Sequence, residues 1–489
     1  MEKETISIGE FETLKAENLM LKMELANLKK IIFGSKTERY VSKNIDPSQG
    51  SLFPQPEPEK LKKKQKNKKP PVSKKTKKKK AKGFPESLKR VVEYIEAEGI
   101  NKDDFKLIGE DITELLAYQK GYFYIRKIVR PRYAKKDGST VIQANIPERL
   151  LPKSKLDESL VAHLIVEKAC FHTPIYRFAK KMELMDCEGV SNSTLHNGFH
   201  RATEMLSPLY NLMLKEMQES NYLQADESPI KVLNHQGKKK ESKGYMWVYR
   251  NPHTGAVAFS YDPTRSQANP DVFLEKFKGH LQTDGYPGYN KYGKRDDITL
   301  LNCMAHARRK FTDALKYDEH RANYFLEHLQ KLYRIERKAK EENLTSEQIL
   351  KLRQSQAIPI LKILKEWLTD QLPQVPPSSA IGKAIAYTLK RWKLLSVYTS
   401  AGYLEIDNNL IENKIRPLAL GRKNYLFAHN ENTAQNLALL YSLIGTCHAN
   451  DINPIKYISW ILKKVVTDKI TPDAVKWLPH HIDPALLDA

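Results

Sequence analysis

Residues 60–82 read KLKKKQKNKKPPVSKKTKKKKAK, with fourteen lysines and no acid. A run like this has nothing to bury and repels itself, so it is expected to be disordered. With the Pro-rich stretch NIDPSQGSLFPQPEPEK before it, it forms a linker over 41–84 that separates a short N-terminal arm from the rest of the chain. The run supplies more than half of the +23 net charge of the 489 residues. An excess of that size implies a polyanionic partner, with nucleic acid first among the choices. The run suits a nonspecific DNA tether that weakens steeply with salt; the plainer reading is a solvated spacer.

Four cysteines, Cys170, Cys187, Cys303 and Cys447, lie far apart with no C-x-x-C pair. That pattern excludes a disulfide framework and a cysteine zinc site, and it fits a reducing cytoplasm. No apolar run approaches membrane-spanning length, and MEKETISIGE has no apolar signal region. The expectation is a protein of the cytoplasm that has no membrane partner.

The fold class expected is multidomain α+β. In the arm, residues 1–40, a heptad places Asn18 and Leu25 at a, and Leu14, Leu21 and Leu28 at d. Glutamates at g face lysines at e, and the lone polar a residue selects register and two strands, so a dimerising coiled coil is expected. The alternative is an amphipathic helix packed on its own domain. Residues 85–155 read as a small β-rich unit, with strand character in YFYIRKIVRPRYA and an Asp137-Gly138 turn. Residues 156–218 read as helical. There IYRFAKKMELM, a turn with Gly189, and NSTLHNGFHRATEML have the spacing of a helix-turn-helix, although many helical hairpins share it. From 219 short strands alternate with turns; 304–400 turn helical, and 441–489 form a C-terminal helical segment.

Two of the strands carry Leu-Gln-x-Asp: LQADES at 223–228 and LQTDGY at 281–286. Buried strands rarely end in aspartate for packing reasons, whereas ligands gather at the carboxyl ends of parallel strands. Asp226 and Asp284 on neighbouring strands would repel each other unless a cation lay between them. Mg²⁺ or Mn²⁺, two ions together, suit such oxygens and a phosphoryl transfer. The adjacent Glu227 points to the opposite face of its strand. The third acid is Glu412 or Asp407 in EIDNNLIENKIRPLALGRKNYLF, where Pro417 is expected to limit the helix. Glu412 has a competing reading as the N3 residue of a capping box on Asn409, and Asp407 as helix-start chemistry. His306, Arg308, Arg309 and Lys310 in HARRKF, and Arg422 and Lys423, are candidates to grip phosphates or else form a solvated basic face.

Six ordered stretches, LQADESPIKVL, GYMWVYRN, LQTDGYPGYN, HARRKF, DNNLIENKIRPLALGRKNYLF and LYSLIGTCHANDINPIKYISWIL, together resemble the insertion sequence 66 family of bacterial DDE transposases. The resemblance runs over nearly the whole chain. It implies a ribonuclease H-like α/β core over 219–440 with a helical insertion at about 312–400. It makes Asp226, Asp284 and Glu412 the catalytic, metal-holding triad. It implies DNA cleavage at element ends, transfer of the 3′-OH into target DNA, and small helper proteins of the element as candidate partners. One departure stands out. Where the family has a cysteine zinc unit, this chain has YAKKDGS, with Lys135 and Gly138 in the cysteine places, so zinc is not expected there.

Overall fold

The computed structural model describes residues 121, 123–128, 132–134, 141–143, 148–187, 189–234, 241–266 and 268–487. The heptad, the lysine-rich linker and the Asp137-Gly138 turn lie outside these. Residues from Arg126 onward belong to one compact unit; 121 and 123–125 belong to another and carry no helix or strand.

The β-rich stretch contributes a short antiparallel pair, β1 (Arg132–Ala134) and β2 (Val141–Gln143), with Tyr133 opposite Ile142. Residues 123–128, expected to be extended and paired, form no strand. Four helices follow: α1 (Glu158–Ala169), α2 (Ile175–Glu183), α3 (Asn192–Glu204) and α4 (Ser207–Gln218). Asp157 caps α1 and Ser191 caps α3, each accepting from a first-turn N–H that has no partner within the helix. The α2–α3 turn needs left-handed backbone at Gly189 (φ 90).

The sheet has β3 (Tyr222–Asn234), β4 (Ser242–Arg250), β5 (Val257–Asp262), β6 (Gly279–Thr283) and β7 (Ile298–Asn302), in the order β5-β4-β3-β6-β7, with helix α5 (Ala268–Leu274) between β5 and β6. The β3–β4–β5 part is an antiparallel meander; β3, β6 and β7 run parallel. Gly279 opens β6 at φ 124, where a Cβ would lie 2.2 Å from the Asn221 carbonyl, so only glycine lets the two strands begin so close.

Helices α6 (Met304–Ala314), α7 (Glu319–Glu341), α8 (Ser346–Leu352), α9 (Ile358–Gln371), α10 (Ala380–Lys390) and α11 (Trp392–Ser396) pack around Phe311, Phe325, Leu329, Leu364 and Ile385. Tyr222 and Leu301 join this core from the sheet, so the helical block is seated on β3 and β7. A second core gathers Ile230, Val232, Met246, Val248 and Phe259 with α12 (Asn409–Tyr425) and α13 (Glu431–Ala449); β8 (Ala428–Asn430) between these helices pairs with the far end of β3. The edge strand β5 is not left open. Ser442 Oγ and Thr446 Oγ1 of α13 accept from Phe259 N (2.7 Å) and Val257 N (3.0 Å), removing the free donors that invite another strand. Helix α14 (Pro454–Thr467) packs on α1. Among the described residues no helix is long and apolar enough to cross a membrane.

Pro417 does not end the helix it was expected to limit. α12 runs through it to Tyr425, because burial of Ile411, Leu418 and Tyr425 in the second core outweighs the one backbone hydrogen bond that proline removes.

Candidate active site

The two Leu-Gln-x-Asp runs turn out to be a register match. In the parallel β3–β6 pair, Leu223 is opposite Leu281 and Gln224 opposite Gln282. Asp226 and Asp284 each follow two residues on. Asp284 stands just beyond the end of β6, as expected. Asp226 does not end its strand: β3 continues to Asn234, held by β4 on its other edge. What ends near Asp226 is the pairing with β6. Pro229 lies in the stretch of that edge paired with neither β6 nor β8, where a missing N–H costs no ladder bond.

Burial, then the charge of Asp284, then those of Glu227 and Glu412, push the Asp226 carboxyl well above the ordinary range, with the Glu227 N–H opposing. Both aspartates also accept from nearby backbone, Asp226 from Glu227 N within its strand and Asp284 from Tyr286 N in the turn after β6, each at 2.7 Å. Glu227 is instead ion-paired to Arg265.

Segment 404–408 leads into the helix that carries Glu412, and the two glutamines hold that segment. Gln282 Oε1 accepts from Tyr222 Oη (2.6 Å) and Gln224 Nε2 (2.8 Å), while Gln282 Nε2 donates to the Glu405 carbonyl (2.8 Å). Gln224 Nε2 reaches the Asp407 carbonyl at 3.3 Å, and Arg250 donates to Gln224 Oε1 at 3.0 Å. Both glutamines are fully buried. Sequence reading took them only as part of the strand; the signal available was the identical polar residue before each aspartate. Gln282→Leu is expected to strand Gln224, Tyr222 and the Glu405 carbonyl, costing about 2–3 kcal/mol. A thermal melt checks it. An unchanged melt refutes the clasp.

The local hydrogen bonds separate the two third-acid candidates. Asp407 accepts from Asn409 N (3.0 Å), Asn409 Nδ2 (2.8 Å) and Tyr333 Oη (2.8 Å), so it is committed to starting α12. The capping-box reading of Glu412 fails, because the N-cap is Asn408, which makes no side-chain cap, and Asn409 is already helical. Glu412 instead turns to α6, with Arg309 Nη2 3.3 Å from its Oε2 and His306 Nε2 3.7 Å from its Oε1. That Oε1 is buried and accepts no hydrogen bond among the described residues.

Of the other basic candidates, Arg308 lies near Asp407 and helps offset the upward push of burial on that carboxyl. Lys310 sits over the Tyr387 ring at 5.6 Å. Arg422 donates to the Pro229 carbonyl, so that part of its fork is already occupied, and Lys423 is exposed. Sequence reading passed over Cys303. Its sulfur accepts from Asn408 N at 3.1 Å and lies with His306 and Glu412 ligand atoms within 4.8 Å of one another. Burial pushes this thiol up, which holds it protonated.

Residues 153–436 match the family model for the Transposase IS66 family. The chain belongs to that family. Residues 20–92 match a second model, described as Transposase C of IS166 homeodomain. Among proteins of Sinorhizobium fredii (strain NBRC 101917 / NGR234), this IS66 family member is similar to "Uncharacterized protein y4jD", 28% identical over 96% of this chain and 95% of that one. It is also similar to "Uncharacterized protein y4qI", 31% identical over 78% of this chain and 74% of that one. Membership makes the chain a transposase, an enzyme acting on DNA, with a mixed α/β core of mostly helices around a mixed sheet. DDE transposases generally use a divalent metal, and the carboxylate set is of the hard-oxygen kind such ions prefer.

Proposed function

We propose that the chain cuts DNA at the ends of its element and joins the freed 3′-OH to a target strand, with Asp226, Asp284 and Glu412 as the acids of one site. The observation carrying this reading is the β3–β6 register, which sets Asp226 and Asp284 each two residues beyond the matched Gln224–Gln282 pair. The sheet order, an antiparallel meander followed by parallel β6 and β7, supports a ribonuclease H-like core. The residues fit two divalent ions, Mg²⁺ or Mn²⁺, held by the three carboxylates, which when bound would stabilise both the attacking and the leaving oxygen of a phosphodiester. Asp226 and Asp284 come from neighbouring strands and keep a fixed spacing. Glu412 arrives on a helix whose lead-in segment the glutamines hold, with His306 and Arg309 beside its carboxylate. Arg308, Arg309 and Lys310 on α6 would add positive charge for phosphates beside the contacts they already make with Asp407, Glu412 and Tyr387.

DNA is also expected on α2 and α3. An open cleft of about 640 Å³ there is lined by Tyr176, Arg177, Lys180, Lys181, Glu183, Leu184 and Asn192; Lys180 is paired with Glu183 and Lys181 with Glu167, so a phosphate there would share those lysines with the acids. The lysine-rich linker would add a salt-sensitive tether. The heptad would pair two chains through Leu14, Asn18, Leu21, Leu25 and Leu28, as homodimer or higher. We place the reaction in the bacterial cytoplasm on the nucleoid, with the element's small helper proteins supplied.

The test is a labelled duplex carrying the element terminus, with Mg²⁺ against EDTA and wild type beside Glu412→Gln. Metal-dependent nicking and joining should both fall at least about 100-fold in the variant, more than losing a group behind a metal ligand costs. Nicking without joining would make the chain a nuclease; full activity in the variant would remove Glu412 from the triad.

A further inference from the structure

A second cluster of metal-type donors lies apart from the three acids, where the end of α4 meets the C-terminal turn. Glu216 sits in the last turn of α4. His480 and His481 stand in a turn closed by His481 N and Ile482 N donating to the Leu478 carbonyl. That turn aims two consecutive imidazoles the same way. His480 Nε2 lies 3.1 Å and His481 Nε2 2.9 Å from the same oxygen, Glu216 Oε1, and the ring centroids are 4.2 Å apart. The ligand atoms of all three residues lie within 4.8 Å of one another.

We propose that Glu216, His480 and His481 form a binding site for a transition-metal dication of the zinc type. Two imidazoles and one carboxylate are a donor set that Zn²⁺ takes readily, with a further position left for water. His481 Nε2 also lies 3.0 Å from Glu216 Oε2, so two imidazole nitrogens and one carboxylate are gathered closely enough to share a single cation. The His480 side chain is 0% exposed, while Glu216 is 27% and His481 37% exposed. The site thus has a closed floor and an open mouth, which gives the ion an entry path. It would fasten the C-terminal segment to α4, the helix that runs directly into β3 and Asp226. This assignment does not depend on the transposition chemistry. It also differs from the cysteine unit implied by the family resemblance, whose cysteines this chain lacks.

The experiment uses the full chain, stripped with chelator, in excess Mg²⁺ to occupy hard-oxygen sites. Zn²⁺ is titrated calorimetrically, and Co²⁺ serves as a visible reporter of coordination. Wild type should bind one Zn²⁺ that Glu412→Gln also binds, which separates this cluster from Cys303, His306 and Glu412. Glu216→Gln and His481→Asn should each weaken that binding at least about 100-fold, and the rise in melting temperature with Zn²⁺ should vanish. Their metal-free melts, compared with wild type, show whether the variants are folded. The proposal is overturned if the Zn²⁺ equivalent survives in both variants, if it disappears in Glu412→Gln, or if wild type takes up none.

Discussion

Asp226→Asn is expected to abolish strand transfer and, in the same protein, to raise the melting temperature in EDTA at neutral pH. The activity loss follows from removing a charge that a bound cation needs. Ion-derived stabilisation of the transition state is worth several kcal/mol, so the rate should fall by at least about three orders of magnitude. The stability gain follows from the raised Asp226 carboxyl, which burial and the charge of Asp284 hold up. A carboxyl raised in the folded state binds more protons there than in the unfolded chain. Its contribution is therefore fully present below the unfolded value near 3.8 and is lost as pH climbs through the folded value. At neutral pH the wild type carries that cost, and asparagine does not. The gain should shrink toward pH 4 and also shrink in Mg²⁺, which offsets the repulsion in wild type. One kcal/mol corresponds to about 2–4 °C in a domain of this size. Melts at several pH values, with and without metal, read the effect; a variant less stable than wild type in EDTA at pH 7 contradicts the repulsion.

Arg353→Leu should produce the largest loss of stability. Arg353 opens a π-helical turn, Arg353–Ala357, between α8 and α9 and is 2% exposed. Its fork meets both oxygens of Glu336 at 2.9 and 2.6 Å, and it donates to the carbonyls of Tyr398 (2.9 Å), Ala401 (2.7 Å) and Leu404 (2.7 Å). Leucine there leaves a half-buried carboxylate and four carbonyls, Gly402 (3.4 Å) being the fourth, without this donor. Breaking one side of such a pair costs about 3–5 kcal/mol, roughly 6–20 °C of melting temperature. Strand transfer should fall too, because Leu404 precedes the Glu405 carbonyl that Gln282 grips. Adding Glu336→Leu should recover part of the stability, since no orphan charge remains. A single-variant cost below about 1 kcal/mol would mean that water replaces the guanidinium.

Much of the site was legible in the residues. Short apolar runs bounded by turn residues marked the strands, and the repeated Leu-Gln-x-Asp marked two of them as equivalent. The lone polar step before each aspartate went unread, because a buried glutamine explains itself only through partners such as the Asp407 carbonyl, 183 residues away. The choice of third acid was open for a related reason. Asp407 and Glu412 both suit a helix start by spacing, and only the hydrogen bonds made by each tell them apart.

By itself, then, the sequence carried the helical or strand character of most segments, the repeated Leu-Gln-x-Asp runs and the family, because these depend on local pattern and on motifs read in line. The tertiary structure alone decided that β3 runs on past Asp226, that α12 passes through Pro417, that Asp407 is spent on its helix and that Arg422 is partly occupied by a backbone carbonyl. The physical reason is the same in each case. Whether a polar atom is free for a ligand, and whether a helix tolerates a proline, depends on burial and partners contributed by distant segments.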